Sequence, residues 1–107
     1  MPVRFLISTL KPGVDPEEYE TWVKTVDYPF VGTKSNYLDY EVHRIRRPIA
    51  NNDELQWQYI ERIHVGSIEQ HEIDMASPEG VAVREQLYGK FLDRKKNVYF
   101  TADLIDR

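Results

Sequence analysis

Segments with strand and helix character follow one another in the order β, α, β, β, α, β along these 107 residues, which predicts an α+β fold of ferredoxin-like topology built on an antiparallel sheet. Two further observations support that class. The two central strand segments read as a hairpin, and no segment repeats another at the period of a solenoid. A chain of this length closes one core, so residues 1–107 are expected to form a single domain.

The first strand is Val3 to Leu10, rich in β-formers and stopped by the turn-forming Lys11-Pro12-Gly13. A helix follows, because Asp15 suits an N-cap, Pro16 the first helical position, and Glu18 the first-turn site where a carboxylate complements free amides. Its inner face is Tyr19, Trp22, Val23 and Val26. Tyr28-Pro29 is expected to end it, since the residue before proline is pushed out of the α region.

From Tyr37 to Arg47 the alternation sets Leu38, Tyr40 and Val42 on one face, with Tyr37, Asp39, Glu41, His43 and Ile45 on the other. A loop from Pro48 to Asp53 leads to Leu55–Ile63, which alternates again. Ser67-Ile68-Glu69-Gln70 is a capping box opening a second helix, interrupted at Ser77-Pro78-Glu79-Gly80 and resumed from Val81 to about Leu92. Asn97 to Ile105 reads as the last strand. Helices placed this way cover one sheet face and leave the other bare, and an aromatic bare face is most economically covered by a second copy, so a homodimer is expected.

Composition removes several functions. Lys and Arg total 14 against 18 Asp and Glu, a net charge of -4, so no overall basic field attracts a phosphate backbone and nucleic acid is not an expected partner. The clusters Arg44-Arg46-Arg47 and Arg94-Lys95-Lys96 fall at a strand end or loop, without the interleaved aromatics of single-strand binders. Cysteine is absent, which excludes disulfides, thiolate metal sites and cysteine nucleophiles. The three histidines lack zinc spacing, the five glycines form no phosphate loop, and no G-x-S-x-G elbow occurs, so no metal and no cofactor is expected. No apolar stretch reaches membrane length, which makes a soluble, cytoplasmic protein the expectation.

Candidate site residues follow from the hairpin. If it turns about Asn51, opposed residues have numbers summing to about 102, setting His43 opposite Tyr59, Glu41 opposite Glu61 and Ile45 opposite Trp57. One face would then collect His43, Glu41, Glu61, Tyr37, Tyr59 and Trp57, an aromatic floor with groups able to move protons; the competing reading is a polar dimer contact with paired charges. His71 shares a helix face with Ile68 and Met75, as a satisfied core histidine or as a second proton donor, while His64 falls at a strand rim. Trp22 and Tyr19 are spaced as core. Tyr28-Pro29-Phe30 could form a rigid lid over a cavity. Arg84 and Tyr88, four apart on a helix, could present a cation and a phenol to a bound acid or enolate, or merely decorate a solvated surface.

Trp57-Gln58-Tyr59-Ile60-Glu61-Arg62, then Ser67-Ile68-Glu69-Gln70-His71 and Met75-Ala76-Ser77-Pro78-Glu79, resemble the core signature of the dimeric α+β barrel superfamily. By length and spacing the whole chain resembles the RedY-like family of prodiginine (tripyrrole pigment) biosynthesis. The resemblance implies a dimeric barrel acting on an aromatic or pyrrole-type intermediate without metal, flavin or nucleotide. It also places His71 near the barrel site and lets the Trp22 stripe line a pocket. The leading expectation is a proton-transfer step such as cyclisation, dehydration or decarboxylation. His43 would be acid or base, Glu61 its partner, His71 a second donor, and Trp57, Tyr59 and Tyr37 a stacking wall. A non-catalytic carrier and a cofactor-free monooxygenase are the alternatives.

Overall fold

A computed structural model describes residues 2–46 and 56–106. The hairpin loop Pro48–Asp53, its turn near Asn51, and the flanking Arg47 and Leu55 lie outside the described residues. Strand β1 (Pro2–Ser8) runs through the middle of a four-stranded antiparallel sheet, between β3 (Tyr59–Val65) and β4 (Val98–Asp103), with β2 (Tyr37–Arg44) beyond β3. The order β2-β3-β1-β4 is the ferredoxin-like one expected. The barrel is not. β2 and β4 are separate edges of an open sheet, and four strands are too few to close, since about eight are needed for a filled barrel.

The helices pack on one face. Asp15 caps α1 (Pro16–Trp22) by accepting from the Glu17 amide at 3.0 Å. The expected stop at Tyr28-Pro29 does not occur: α1 passes through a π-turn, Val23–Asp27, into α2 (Tyr28–Gly32). Pro29 falls in the first turn of α2, where a missing amide hydrogen leaves little unsatisfied, so the proline is accommodated at the π-turn's far end. Ser67 opens α3 (Ile68–Ala76) by accepting from the Gln70 amide. Ser77 then both ends α3, donating to the Asp74 carbonyl at 2.6 Å, and caps α4 (Pro78–Gln86). A second π-turn, Leu87–Phe91, completes the helical layer, and a 3-10 turn at Arg94–Lys96 leads to β4.

The core forms where α1 and the second π-turn meet the sheet. The buried Tyr19 ring meets the edge of Tyr59 at 4.7 Å and lies 5.7 Å from Phe91, which in turn lies 5.4 Å from Trp22. Leu6, Leu10, Leu87 and Leu92 fill the spaces between, each such side chain contributing roughly 1.5–3 kcal/mol on burial.

The register of the central hairpin differs from the expectation by one residue. His43 pairs with Ile60, Val42 with Glu61 and Glu41 with Arg62, so His43 and Glu61 point to opposite faces. Burial explains the choice, because this register turns Tyr59, Glu61, Ile63 and Val65 together under the helices. A bulge between Tyr37 and Asp39 makes the second correction. It shifts Tyr37 out of the alternation, and its ring stands edge-on to Tyr40 at 5.9 Å. Away from the helices, Phe5 stacks on Phe100 at 5.7 Å beside Ile7, Ile60 and Val98, and Phe100 remains 41% exposed.

Candidate functional site

A cavity of about 180 Å³ lies between the helices and the sheet. For scale, a cavity of ~150 Å³ holds a benzene ring, so the space suits a single ring with small substituents. Leu6, Phe30, Val31, Ile63, Met75 and Val83 make its walls apolar. The polar groups that interrupt those walls set its chemistry.

The first is a carboxylate pair. Asp27 enters from the first π-turn and Glu61 from the buried face of β3, and they are only 7% and 4% exposed. The Tyr40 hydroxyl of β2 stands 2.5 Å from Asp27 Oδ2 and 2.5 Å from Glu61 Oε1. A phenol carries one proton and can donate it to one carboxylate only. Two contacts this short therefore require a second proton, carried by the other carboxyl and donated back to the phenol oxygen. Burial pushes both carboxyl groups above the ordinary carboxylate range, Glu61 further because the Asp27 charge adds to its desolvation. Glu61 Oε2 is buried and has no hydrogen-bond partner, which leaves one oxygen of the proton-sharing pair open to a ligand.

The second feature is an arginine-histidine link. Arg4 Nη1 stands 2.6 Å from Glu72 Oε1, 3.0 Å from His71 Nδ1 and 3.3 Å from the Tyr99 hydroxyl. Because a guanidinium only donates, Nδ1 of His71 must accept, so the ring proton resides on Nε2. Burial, then the Arg4 charge, lower the His71 pKa and keep the ring neutral. Tyr37 meets this ring edge-on at 5.4 Å, and burial raises the pKa of Tyr37, Tyr88 and Tyr99, so these phenols stay protonated.

The structure thus brings together Glu61, His71, Tyr37, Phe30, Arg84 and Tyr88 of the sequence-derived candidates. It does not bring in the others. His43 is exposed, on the opposite face from Glu61, and its Nε2 lies 3.0 Å from Glu41. Trp57 donates its indole hydrogen to the Lys96 carbonyl at 2.9 Å. Trp22 is core and donates to Gln86, while Tyr59 donates to Glu20 at 2.7 Å in a separate polar recess. There the Arg44 and Tyr59 hydrogen bonds lower the Glu20 pKa to about 2. Sequence reasoning missed Asp27 and the role of Tyr40. A signal for Asp27 existed: Tyr19, Val23 and Asp27 recur every four residues, which puts an acid on the buried stripe. Among the described residues, no three histidine or acidic side chains gather as a metal site, and no helix is long and apolar enough to cross a membrane.

Comparison with known proteins adds to this geometry. Residues 2–104 match the family model described as REDY-like protein HapK. Among solved structures, At3g17210 of Arabidopsis thaliana is 18% identical with a TM-score of 0.80, covering 100% of this chain and 98% of its own. HapK of Hahella chejuensis is 17% identical with a TM-score of 0.76, covering 100% and 95%. A protein of Bacteroides fragilis, described as dimeric and ferredoxin-like, is 13% identical with a TM-score of 0.68, covering 96% and 95%. At these identities the structures show the shared fold alone. No curated protein sequence matches significantly.

Proposed function

The chain belongs to the REDY-like HapK family, and on that premise we propose that it binds a single-ring aromatic or pyrrole-type intermediate of prodiginine-like metabolism and promotes a proton-transfer step on it. Cyclisation, dehydration and decarboxylation all fall within that chemistry. The observation that carries the reading is the Tyr40 hydroxyl held 2.5 Å from each of two buried carboxyl groups. A carboxylic acid kept neutral near pH 7 is a general acid of useful strength, and its conjugate base is strong enough to take the proton back.

In this reading a ligand that accepts at the free Oε2 draws the shared proton of Glu61 from Oε1 to Oε2, and Glu61 delivers it there to a ring carbon or a leaving oxygen. Tyr40 relays the remaining proton between Asp27 and Glu61. Full ionisation of the pair is opposed by burial, so the pair recovers a proton from the product-forming step or from solvent. His71 contributes its Nε2 hydrogen as a donor to the bound ring's substituent, and Tyr37, Phe30 and Tyr88 contribute apolar wall. A second copy of the chain covers the sheet face that carries Phe5 and Phe100, a reading supported by the dimeric state of the Bacteroides fragilis relative.

The test uses a plain probe. 2,4-Dimethylpyrrole in deuterated buffer takes up deuterium at its free ring carbons by protonation and deprotonation, a rate readable by NMR. The protein should accelerate that exchange, and Glu61→Gln should lower the acceleration by about a hundredfold. A variant that binds the probe more weakly yet exchanges it at the same bound-state rate would remove Glu61 from the chemistry, since uniform binding changes affinity alone. No acceleration by the unaltered protein would refute the proton-transfer reading.

A further inference from the structure

The cavity has a cationic side that the proton-sharing pair does not use. Arg84 reaches it from α4, and its Nε is buried without a hydrogen-bond partner. Arg94 reaches it from the 3-10 turn, its guanidinium 4.9 Å from the centre of the Tyr88 ring. Among the described residues neither arginine has a carboxylate within ion-pair distance, whereas Arg4, the third arginine of the lining, is paired with Glu72. A buried guanidinium hydrogen without an acceptor carries a desolvation penalty that only an incoming acceptor removes.

Charge counting gives the same answer. Three arginines face Glu72 and a carboxyl pair that, sharing a proton, holds a single negative charge. His71 is neutral, its Nδ1 occupied by Arg4. The lining therefore has one positive charge in excess, located at Arg84 and Arg94, and a cavity of this kind is completed by one monoanion.

We propose that the ligand of this cavity is a ring bearing one carboxylate, with Arg84 and Arg94 holding the carboxylate and the apolar walls holding the ring. The inference names the substrate class of the site described above and so rests on that site being where the ligand binds. Arginine suits the task because its planar fork matches a carboxylate in two parallel hydrogen bonds, and the Tyr88 ring beneath Arg94 helps fix that fork in place.

Pyrrole-2-carboxylate and pyrrole-2-carboxamide are nearly the same shape and differ in charge, so their dissociation constants from the intact protein, followed by NMR titration, isolate the anion's part. Hydrogen bonds to a charged group differ from neutral ones by enough to favour the carboxylate about tenfold or more. Arg84→Gln should bring the ratio close to one. Arg94→Gln, at an exposed position, should reduce it without threatening the fold. Equal affinity of the two probes, binding of neither, or a ratio unchanged in both variants would overturn the proposal. Glu61→Gln separates the two claims, since it should lower the exchange acceleration about a hundredfold and keep the carboxylate preference. A preference that persists while Glu61→Gln leaves exchange untouched would sustain the anion site and defeat the proton-transfer reading.

Discussion

Replacing Glu61 by glutamine should make the protein more stable at alkaline pH, and the sign follows from where the proton resides. Burial raises the ionisation of Glu61 well above the 4.5 of the free side chain. A carboxyl of that kind binds more protons in the folded chain than in the unfolded one. Its contribution is full below the unfolded pKa and declines as pH rises toward the folded pKa. Each tenfold in proton affinity corresponds to ~1.4 kcal/mol, so a glutamic acid still neutral at pH 7 has lost on the order of 3 kcal/mol of stability between pH 4.5 and pH 7. Against a total of about 5–15 kcal/mol for a small domain, that is easily measured. Glutamine keeps the shape and a donor toward Tyr40 and has nothing to ionise. Urea unfolding at pH 5, 7 and 8.5 should therefore show Glu61→Gln gaining on the unaltered protein at each step. Taking the difference cancels His71, whose lowered pKa acts in the opposite sense, with stability rising as the pH climbs toward 6.5. A difference that is flat across this range, or that moves in favour of glutamate, would mean that the pair shares no proton and that the site reasoning is wrong.

Two other positions give independent checks. A methyl group at Gly80 would lie 2.4 Å from the Asp74 carbonyl oxygen and 2.9 Å from that of Met75, so Gly80→Ala should destabilise by about 1–3 kcal/mol in the same urea assay, with α3 and α4 forced apart. On the open face, Phe100→Glu should lower the sedimenting mass from two chains to one and leave the far-UV circular dichroism spectrum intact, because Phe100 is 41% exposed in the single chain and its partner Phe5 loses an apolar cover. A protein that sediments as one chain before the change would refute the homodimer.

Much of the fold was legible because local chemistry and burial agreed. Asp15-Pro16 and Ser67 cap the helices they were expected to cap, and Tyr19, Trp22 and Val23 are buried as their spacing required. Ser77-Pro78 breaks the second helical segment as its composition indicates. The failures occurred where one residue of backbone phase decides the outcome. A strand alternates with period two, so the single-residue error in hairpin register sent His43 to one face and Glu61 to the other. A bulge at Tyr37 reversed that residue for the same reason, and no residue there is a glycine or proline that would have marked it. The barrel came from the family resemblance, and the strand order shows an open sheet instead.

The same sensitivity to phase is what builds the site. A continuous α-helix advances 100° per residue, whereas a π-turn inserts an extra residue, so everything after Val23 is rotated relative to the α1 stripe. Asp27 closes that turn and arrives buried against Tyr40, and Tyr28 and Phe30 follow with new headings, Phe30 into the cavity and Tyr28 edge-on to Tyr40 at 5.8 Å. The second π-turn does likewise for Leu87 and Tyr88. A π-turn sacrifices good helical geometry and persists only where other contacts support it. Here the support is the Tyr40 hydroxyl bond to Asp27 on one side and the buried Leu87 and Phe91 on the other. Removing the Asp27 carboxylate while preserving its size, as Asp27→Asn does, takes away the charge that Glu61 feels and leaves the turn's hydrogen-bond partner in place. The Glu61 ionisation should then fall only part of the way, because desolvation, the larger cause, remains while the neighbouring charge does not, and the alkaline loss of stability in urea unfolding should end at lower pH.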